Sequence, residues 1–191
     1  MIIARVVTLL GLAVIVQAIG EYSVNGCYQE ANEAFGDYGK GLIGSDLVIL
    51  NSLSASHRLF ELRTCVDTTG TLKGLQVMAA VYTESGVTEK IRLTQFGDLA
   101  PPSCKVDTFG DAEFVSNFTF YYSKNKLEGI SYVTSTGSTQ NLGKTKTTDW
   151  FNPISSKSFS TTREYEFIGF FGSYSVETVY SLGAIRMRMD C

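Results

Sequence analysis

The sequence predicts an all-β protein built as a single domain. Short runs of β-branched and aromatic residues recur along its 191 residues, and glycine, asparagine, aspartate and serine separate these runs. The runs follow one another at spacings of roughly 8–12 residues, which is typical of a sandwich, barrel or prism. Only three prolines occur, and no linker rich in proline and serine divides the chain.

The first predicted element is a secretory signal peptide over residues 1–18. Arg5 precedes an apolar run from Val6 to Val16, which is too short to span a bilayer, and Gln17-Ala18 follows. We expect cleavage after Ala18, and therefore a secreted protein, extracellular or held in a secretory granule, with no membrane span in the mature chain. The rest of the chain divides into an N-terminal extension, 19–34, and a β domain, 35–191.

The charge of the chain argues against a nucleic-acid partner. Its formal net charge is −3, and removing the signal peptide, whose only charged residue is Arg5, makes it −4. Nucleic-acid binding depends on a basic surface that neutralises phosphates, and no run rich in lysine or arginine occurs in this sequence. We therefore expect no nucleic acid among the partners.

Four cysteines in an exported chain predict two disulfides. The cysteines are Cys27, Cys65, Cys104 and Cys191. Three pairings are possible, and the sequence does not choose among them. Cys27 and Cys191 could join the two ends of the chain, which would leave Cys65 to pair with Cys104. A zinc site is disfavoured because no Cys-x-x-Cys pair occurs and His57 is the only histidine, so we expect no metal or other cofactor.

Alternation of side chains predicts the individual strands. In Leu59–Val66 the odd-numbered side chains share one face, and in Lys73–Tyr82 the apolar residues at 75, 77, 79 and 81 share a face. In Phe114–Tyr122 the even-numbered aromatic residues lie on one side. Residues 28–34 could form one or two turns of helix. Further strands are predicted at Glu128–Thr134, Ser138–Leu142, Phe159–Thr162, Glu166–Phe171 and Val179–Met189.

One internal similarity indicates repeated sheets. Thr71–Val77 and Lys126–Tyr132 each enter a strand through leucine, a charged residue, glycine and an aliphatic residue. Phe114–Phe120 is a third, more divergent candidate copy. The spacing suits a fold of repeated sheets, each too small to bury its apolar face alone.

Four segments carry motifs of a known family. Phe35–Gly41 resembles its glycine-rich first loop, and Leu127–Gly143 resembles its hairpin with a Thr-Asn-x-Gly turn. Phe167–Gly172 resembles a Gly-Phe-Phe-Gly strand, and Tyr180–Ile185 resembles a closing Asp-Ala-Ile-Gly strand. Over most of residues 35–189 the chain thus resembles the jacalin-related lectins. The resemblance implies a β-prism, in which three four-stranded Greek-key sheets form a triangle with their apolar faces inward.

The resemblance also implies a shallow sugar site where the glycine-rich first loop meets the loop before the last strand. The candidate carbohydrate-binding residues are Gly36, Asp37, Tyr38, Gly39, Tyr174, Ser175, Glu177 and Tyr180. The family's Gly-x-x-x-Asp pattern is altered, because Val176 replaces its glycine and Tyr180 its aspartate. A shifted alignment offers Glu177, four residues after Ser173, as the carboxylate that would accept hydrogen bonds from sugar hydroxyls.

Catalytic chemistry has little support in the sequence. A hydrolytic triad would need His57, which lies in a polar stretch that we expect to be an exposed loop, and no Gly-x-Ser-x-Gly motif occurs. Gly39–Gly44 matches Gly-x-Gly-x-x-Gly without the βαβ context of a dinucleotide site. Nothing positions two carboxylates for glycoside hydrolysis. We therefore expect a protein that is not an enzyme.

These observations predict a secreted, lectin-like protein whose partners are glycans or glycoproteins. The alternative is a structural β-prism module of a granule or extracellular matrix that has lost sugar binding, which the altered second loop favours. The sequence leaves open whether the chain forms a homo-oligomer. Asn117 begins the only N-glycosylation sequon, Asn117-Phe118-Thr119, so the chain is also a candidate glycoprotein.

Overall fold

A computed structural model describes residues 27–30, 33–53, 57–124, 126–146, 151–161 and 164–190. The predicted signal peptide and Cys191 lie outside these residues. Within them, thirteen strands and one short helix are present. The strands are β1 (Tyr28–Glu30), β2 (Phe35–Gly36), β3 (Leu42–Ser45), β4 (Arg58–Val66), β5 (Leu72–Thr83), β6 (Gly86–Gly97), β7 (Ser103–Thr108), β8 (Val115–Ser123), β9 (Lys126–Thr134), β10 (Thr139–Gly143), β11 (Ser155–Ser160), β12 (Tyr165–Tyr174) and β13 (Val179–Arg188), and helix α1 is Asp46–Leu50.

The strands form three antiparallel sheets. In the first sheet the order is β3, β12, β13, and then β1 and β2 together, because these two short strands pair with successive parts of β13. The second sheet has the order β6, β5, β4, β7, and the third has the order β10, β9, β8, β11. No helix in the described part of the chain is long and apolar enough to cross a membrane.

Each sheet is a Greek key. In the second and third sheets, three hairpin-connected strands are followed by a fourth strand that returns beside the first of them. The first sheet has the same arrangement, but its strands come from two distant parts of the chain. β12 and β13 form a hairpin, β3 pairs with β12, and β1 and β2 pair with β13. Each sheet packs on both others, since β12 contacts β4 and β8, and β5 contacts β9. The predicted all-β prism of three four-stranded Greek-key sheets is confirmed.

The core lies where the three apolar sheet faces meet. Phe118 and Phe120 from β8 pack against Phe167 and Phe170 from β12, with ring centroids 4.3 Å apart for Phe118 and Phe167. Phe96 from the second sheet meets Phe170 edge-on at 6.5 Å. All five rings are buried. Tilted and edge-on aromatic pairs add stability beyond burial alone, so this cluster ties the three sheets together.

The predicted alternation is confirmed over Phe118–Tyr122 of β8, but it is interrupted at the start of β8 and in β4. At the start of β8, a register shift between Val115 and Asn117 makes Val115, rather than Phe114, a buried residue. In β8, Phe118 and Phe120 are buried while Asn117 lies on the outer, partly exposed face. In β4, a register shift between Leu59 and Glu61 inserts an extra residue, so the prediction that these two side chains share a face is wrong. Leu59 consequently lies on the buried side. A β-bulge of this kind leaves no mark on a simple odd–even pattern.

Two local predictions differ from the structure. Tyr28–Glu30 is a strand, so the helical prediction is wrong there, because these residues pair with Ile185–Met187 of β13. His57 is fully buried rather than exposed, and its backbone N–H donates to the Tyr28 hydroxyl at 3.1 Å. The first sheet thus begins before Phe35, within the segment predicted as an extension.

The repeat seen in the sequence has a structural counterpart. Its two clear copies are the starts of β5 and β9, which hold the same position in their sheets. The prediction of a third copy at Phe114–Phe120 is wrong, because nearly all of that segment belongs to β8, which holds a different position in its sheet.

The three sheets also share a glycine turn. At the equivalent point of each sheet, a glycine with positive φ is followed by a residue whose N–H donates to a carbonyl oxygen. The glycines are Gly36, Gly97 and Gly143, and the donor pairs are Asp37 to Tyr180, Asp98 to Lys73, and Lys144 to Glu128.

One predicted disulfide is present. Cys65 on β4 and Cys104 on β7 lie opposite each other and are joined by a disulfide bond. Of the three cysteines that the sequence allowed as partners of Cys65, the structure selects Cys104. The second bond, between Cys27 and Cys191, stays a prediction because Cys191 lies outside the described residues.

Candidate functional site

Two connections of the first sheet meet at one end of the prism. Residues 37–41 join β2 to β3, and residues 175–178 join β12 to β13. Gly36 pairs with Ser181, and the Asp37 N–H donates to the Tyr180 carbonyl oxygen at 3.1 Å. The structure therefore brings the two predicted loops together, and we call this region the loop site.

Glycine is required where the first loop passes the hairpin. Gly36 has a φ of 106° and Gly41 a φ of 81°, a region that side-chain-bearing residues rarely adopt. A β-carbon at Gly36 would overlap the carbonyl oxygen of Tyr180, and one at Gly41 would overlap that of Tyr174. The glycine-rich sequence is thus needed for the close approach of two backbones.

A buried pair of serines fastens the loop to the hairpin. The Ser173 hydroxyl donates to the Asp37 carbonyl oxygen at 2.9 Å and lies 2.8 Å from the Ser181 hydroxyl, which also accepts from the Ser173 N–H at 3.0 Å. Both serines are fully buried. The sequence reading missed this pair; its only signal is that small polar residues fall at facing positions of two otherwise apolar strands.

The tyrosines of the loop site have different environments. Tyr174 packs edge-on against Phe96, with centroids 5.3 Å apart, so its ring is held against the core. Tyr38 is half-buried and also packs on the core. Tyr180 is half-buried, and the Lys40 ammonium group lies 5.2 Å from its ring centroid. Tyr180 also lines an open cleft.

Glu177 lies at the tip of the hairpin. The Ser175 N–H donates to the Thr178 carbonyl oxygen at 2.8 Å, and the Glu177 N–H donates to the Ser175 hydroxyl at 3.3 Å, which makes a tight turn. Val176 and Glu177 project from this turn into solvent. Among the described residues, no group forms a hydrogen bond or ion pair with the Glu177 carboxylate.

Two clefts flank the loop site on the side of the third sheet. The larger, of about 620 Å³, is lined by Lys40, Thr178 and Tyr180 together with residues of the third sheet. The smaller, of about 570 Å³, is lined by Gly36 and Asp37 together with other residues of the first and third sheets. Of the predicted site residues, the structure places Gly36, Asp37 and Tyr180 at these clefts. Tyr38, Gly39, Tyr174, Ser175 and Glu177 line neither of them.

Tyr122 forms the floor between the third sheet and the loop site. Its hydroxyl donates to the Leu182 carbonyl oxygen at 3.1 Å. Burial raises the pKa of this phenol well above its usual value, so it remains a neutral donor. This bond joins the third sheet to β13, and Tyr122 lines the smaller cleft.

Solved structures share this architecture. A mannose-binding jacalin-related lectin from Ananas comosus has a TM-score of 0.59 at 12% identity, covering 82% of this chain and 96% of that chain. Calsepa lectin in complex with a biantennary N-glycan has a TM-score of 0.60 at 14% identity, covering 84% and 97%. Artocarpin, a lectin with mannose specificity, has a TM-score of 0.60 at 10% identity, covering 81% and 95%. The chain has the fold of the jacalin-related lectins.

The structural match covers 95–97% of the length of these three solved chains. At identities of 10–14% the likeness establishes the fold alone, and the sugars named for those lectins are their own. No protein-family model matches the sequence, and no curated protein matches it either.

Proposed function

We propose that this protein is a lectin-like protein that binds glycans or glycoproteins at the loop site. The observation that carries the proposal is the anchored meeting of the two loops, where Asp37 is bonded through its backbone to both Ser173 and Tyr180. A binding site needs polar groups held in place before the ligand arrives, and this network holds them. The lectin neighbours, named for mannose or an N-glycan, support the same ligand class.

Asp37 and Tyr180 are the side chains we assign to the sugar. Asp37 lines the smaller cleft, and its carboxylate can accept hydrogen bonds from two sugar hydroxyls. Tyr180 lines the larger cleft and offers an apolar ring face for the C–H side of a sugar and a hydroxyl for its rim. Glu177, at the hairpin tip, reaches a ligand only if that ligand extends beyond both clefts.

A glycan array followed by calorimetry tests the proposal. We expect the protein to bind a subset of glycans, and we expect Asp37→Asn and Tyr180→Ala each to weaken binding about tenfold, since one or two hydrogen bonds or a ring contact are lost. Glu84→Gln, in the exposed β5–β6 turn of the second sheet, is the control and should bind as the wild type does. Silence of the wild-type protein on the array would contradict the proposal.

A structural role for the prism is the second candidate. It is favoured by Tyr180, which stands where the resemblance expects an aspartate and has the Lys40 ammonium group over one face of its ring. Sedimentation measurements that show ordered self-assembly, unchanged by any glycan and by Tyr180→Ala, would support this module of a granule or extracellular matrix. They would also decide whether the chain forms a homo-oligomer.

We also propose that the protein is secreted and that it acts by binding rather than by catalysis. The Cys65–Cys104 disulfide is compatible with an oxidising compartment, and the structural neighbours are lectins. Expression in a secretory host tests the first point: the mature protein should begin at Ile19. Intracellular retention of an uncleaved chain would refute it.

Asn117 is proposed as the glycosylation site. It lies on the outer face of β8, where its side-chain amide donates to the Ser160 hydroxyl at 2.7 Å. A glycan there would replace this bond and cover the β8–β11 side of the third sheet. Enzymatic deglycosylation of the secreted protein should lower its mass, and Asn117→Gln should abolish that change.

A further inference from the structure

Beside the loop site, the larger cleft gathers positive charge. Its described walls carry four lysines, namely Lys40, Lys124, Lys126 and Lys144. We call it the lysine cleft. We propose that the lysine cleft binds the negatively charged group of an acidic glycan, a sulfate or a carboxylate. The inference rests on the proposed function, because the loop site would hold the adjoining sugar ring.

This concentration of charge does not follow from composition. The chain has nine lysines and a formal net charge of −3, yet four of these lysines line one cleft and a fifth, Lys157, lines its neighbour. Among the described lining residues of the lysine cleft, the only acidic one is Glu128. A cleft lined by one sign of charge focuses the electrostatic field and attracts ligands of the opposite sign.

Glu128 does not neutralise the cleft. It is buried, with one carboxylate oxygen 3.2 Å from the Lys126 ammonium group and the other accepting from the Thr71 hydroxyl at 3.1 Å. The negative charge of Glu128 therefore offsets the positive charge of Lys126. The charges of the other three lysines are not offset by any other acidic residue among the described lining residues of the cleft. In the described part of the chain, no hydrogen bond or ion pair joins the side chain of Lys124 or Lys144 to another residue.

The backbone holds the lysines in place around the cleft. Lys124 lies in the β8–β9 hairpin with a φ of 51°, and the Lys144 N–H donates to the Glu128 carbonyl oxygen at 3.0 Å. Lys144 thus occupies in the third sheet the position that Asp37 occupies in the first. The side chains themselves are long and partly exposed, which suits an oxyanion whose place on the sugar ring can vary.

The size and walls of the cleft favour a sugar over a free ion. Its volume of about 620 Å³ is in the range of small-molecule sites and far exceeds a sulfate ion. Lys40, Thr178 and Tyr180 line the cleft and also belong to the loop site. A sugar ring stacked on Tyr180 would therefore place a charged substituent within reach of the lysines.

Calorimetry with matched oligosaccharides tests the inference. The probes are sulfated N-acetyllactosamine, sialylated N-acetyllactosamine and the neutral N-acetyllactosamine from which both derive. We expect a charged probe to bind more tightly than its neutral partner and to weaken as salt rises. The double variant Lys124→Gln/Lys144→Gln should lower that affinity about tenfold, since two ion pairs at a partly exposed site are lost.

The control variant also loses two lysines, but these lie outside the lysine cleft, so its net charge changes by the same amount. Lys90→Gln/Lys105→Gln removes two lysines from the edge strands of the second sheet and should leave binding unchanged. An equal loss in both double variants would overturn the inference, because the attraction would then come from net charge alone. Comparing the sulfated and sialylated probes shows whether sulfate or carboxylate is the preferred group.

The remaining outcomes separate this inference from the proposed function. If neutral glycans bind as tightly as charged ones, the proposed role of the lysine cleft would be overturned, but the proposed sugar binding at the loop site would not. Absence of binding to every glycan would overturn both. Binding to vesicles containing phosphatidylserine through Lys124 and Lys144, with no binding to free oligosaccharides, would overturn the glycan assignment in favour of a membrane surface.

Discussion

Replacing Asp46 with asparagine tests how the first two sheets are held together. Asp46 is the first residue of α1 and is fully buried. One carboxylate oxygen accepts the Thr94 N–H of β6 at 2.6 Å, and the other accepts the Phe170 N–H of β12 at 2.8 Å. A single side chain thus joins the helix to strands of two different sheets.

The magnitude follows from the proton balance of this carboxyl. Burial raises the pKa of Asp46 from 3.8 to about 7, although the N–H donors at Phe170 and Thr94 oppose the shift. Because the folded-state pKa is the higher one, the folded protein binds more protons between these pH values. The stabilisation is fully present below pH 3.8 and is lost as the pH rises through about 7. Between pH 5 and pH 8 the loss is about 3 kcal/mol.

Asp46→Asn removes this titration. The neutral amide turns an N–H₂ toward one of the two backbone donors and leaves that donor unpaired, so at pH 5 we expect a cost of about 1–3 kcal/mol. At pH 8 the variant no longer buries a charge, and the difference from wild type should shift in its favour by about 3 kcal/mol.

Urea denaturation followed by near-ultraviolet circular dichroism, at pH 5 and pH 8, measures both quantities. Asp98→Asn makes the same chemical change at a surface carboxylate that accepts the Ala100 N–H, and it should retain the pH dependence of the wild type. If wild type and Asp46→Asn lose stability in parallel between the two pH values, the reasoning is refuted. The carboxyl would then already be ionised at pH 5, with the two N–H donors outweighing burial.

Two further substitutions probe the frame of the prism and the loop site. Arg58 binds the buried Glu166 carboxylate through two nitrogens at 2.8 and 2.6 Å. Arg58→Met should therefore lower the free energy of unfolding by about 3 kcal/mol, because the Glu166 carboxylate would stay buried without its partner. Asp111→Asn, at the exposed end of the same network, should cost less than about 1 kcal/mol, and thermal denaturation compares the two. Gly36→Ala should cost about 1–3 kcal/mol and abolish glycan binding, while Gly110→Ala, where a β-carbon meets open space, should change neither.

The strands that were predicted are those with one face in the core. The aromatic residues of β8 recur at every second position, and the period of two identifies both the strand and its buried face. The edge strands β6 and β7 escaped notice because most of their side chains are exposed, so charged residues such as Glu89 and Lys90 interrupt the alternation. β7 buries none of its side chains, and β6 buries only residues near its end, such as Leu93 and Phe96, so neither strand shows a sustained hydrophobic period.

The contact between the two loops of the candidate site was predicted. The resemblance placed the 36–41 and 174–180 segments together, and the structure brings them into contact through Asp37. Ser173 and Ser181 were missed because their pairing depends on the register of the β12–β13 hairpin, and the bond from Ser173 to Asp37 spans 136 residues. A one-dimensional pattern contains neither the register nor the long-range contact. The same is true of Lys144, whose neighbours across the cleft belong to another sheet.

The sequence by itself determined the all-β class, the apolar faces of the main strands and the glycines at which the first loop turns. These are local properties, because each depends on the period of a strand or on the φ angle of one residue. Only the tertiary structure decided that Cys65 pairs with Cys104, that Glu177 projects from the hairpin tip, and that scattered lysines converge on one cleft. Each of these depends on how three separate sheets are juxtaposed, and that arrangement is set by the shared core rather than by any single segment.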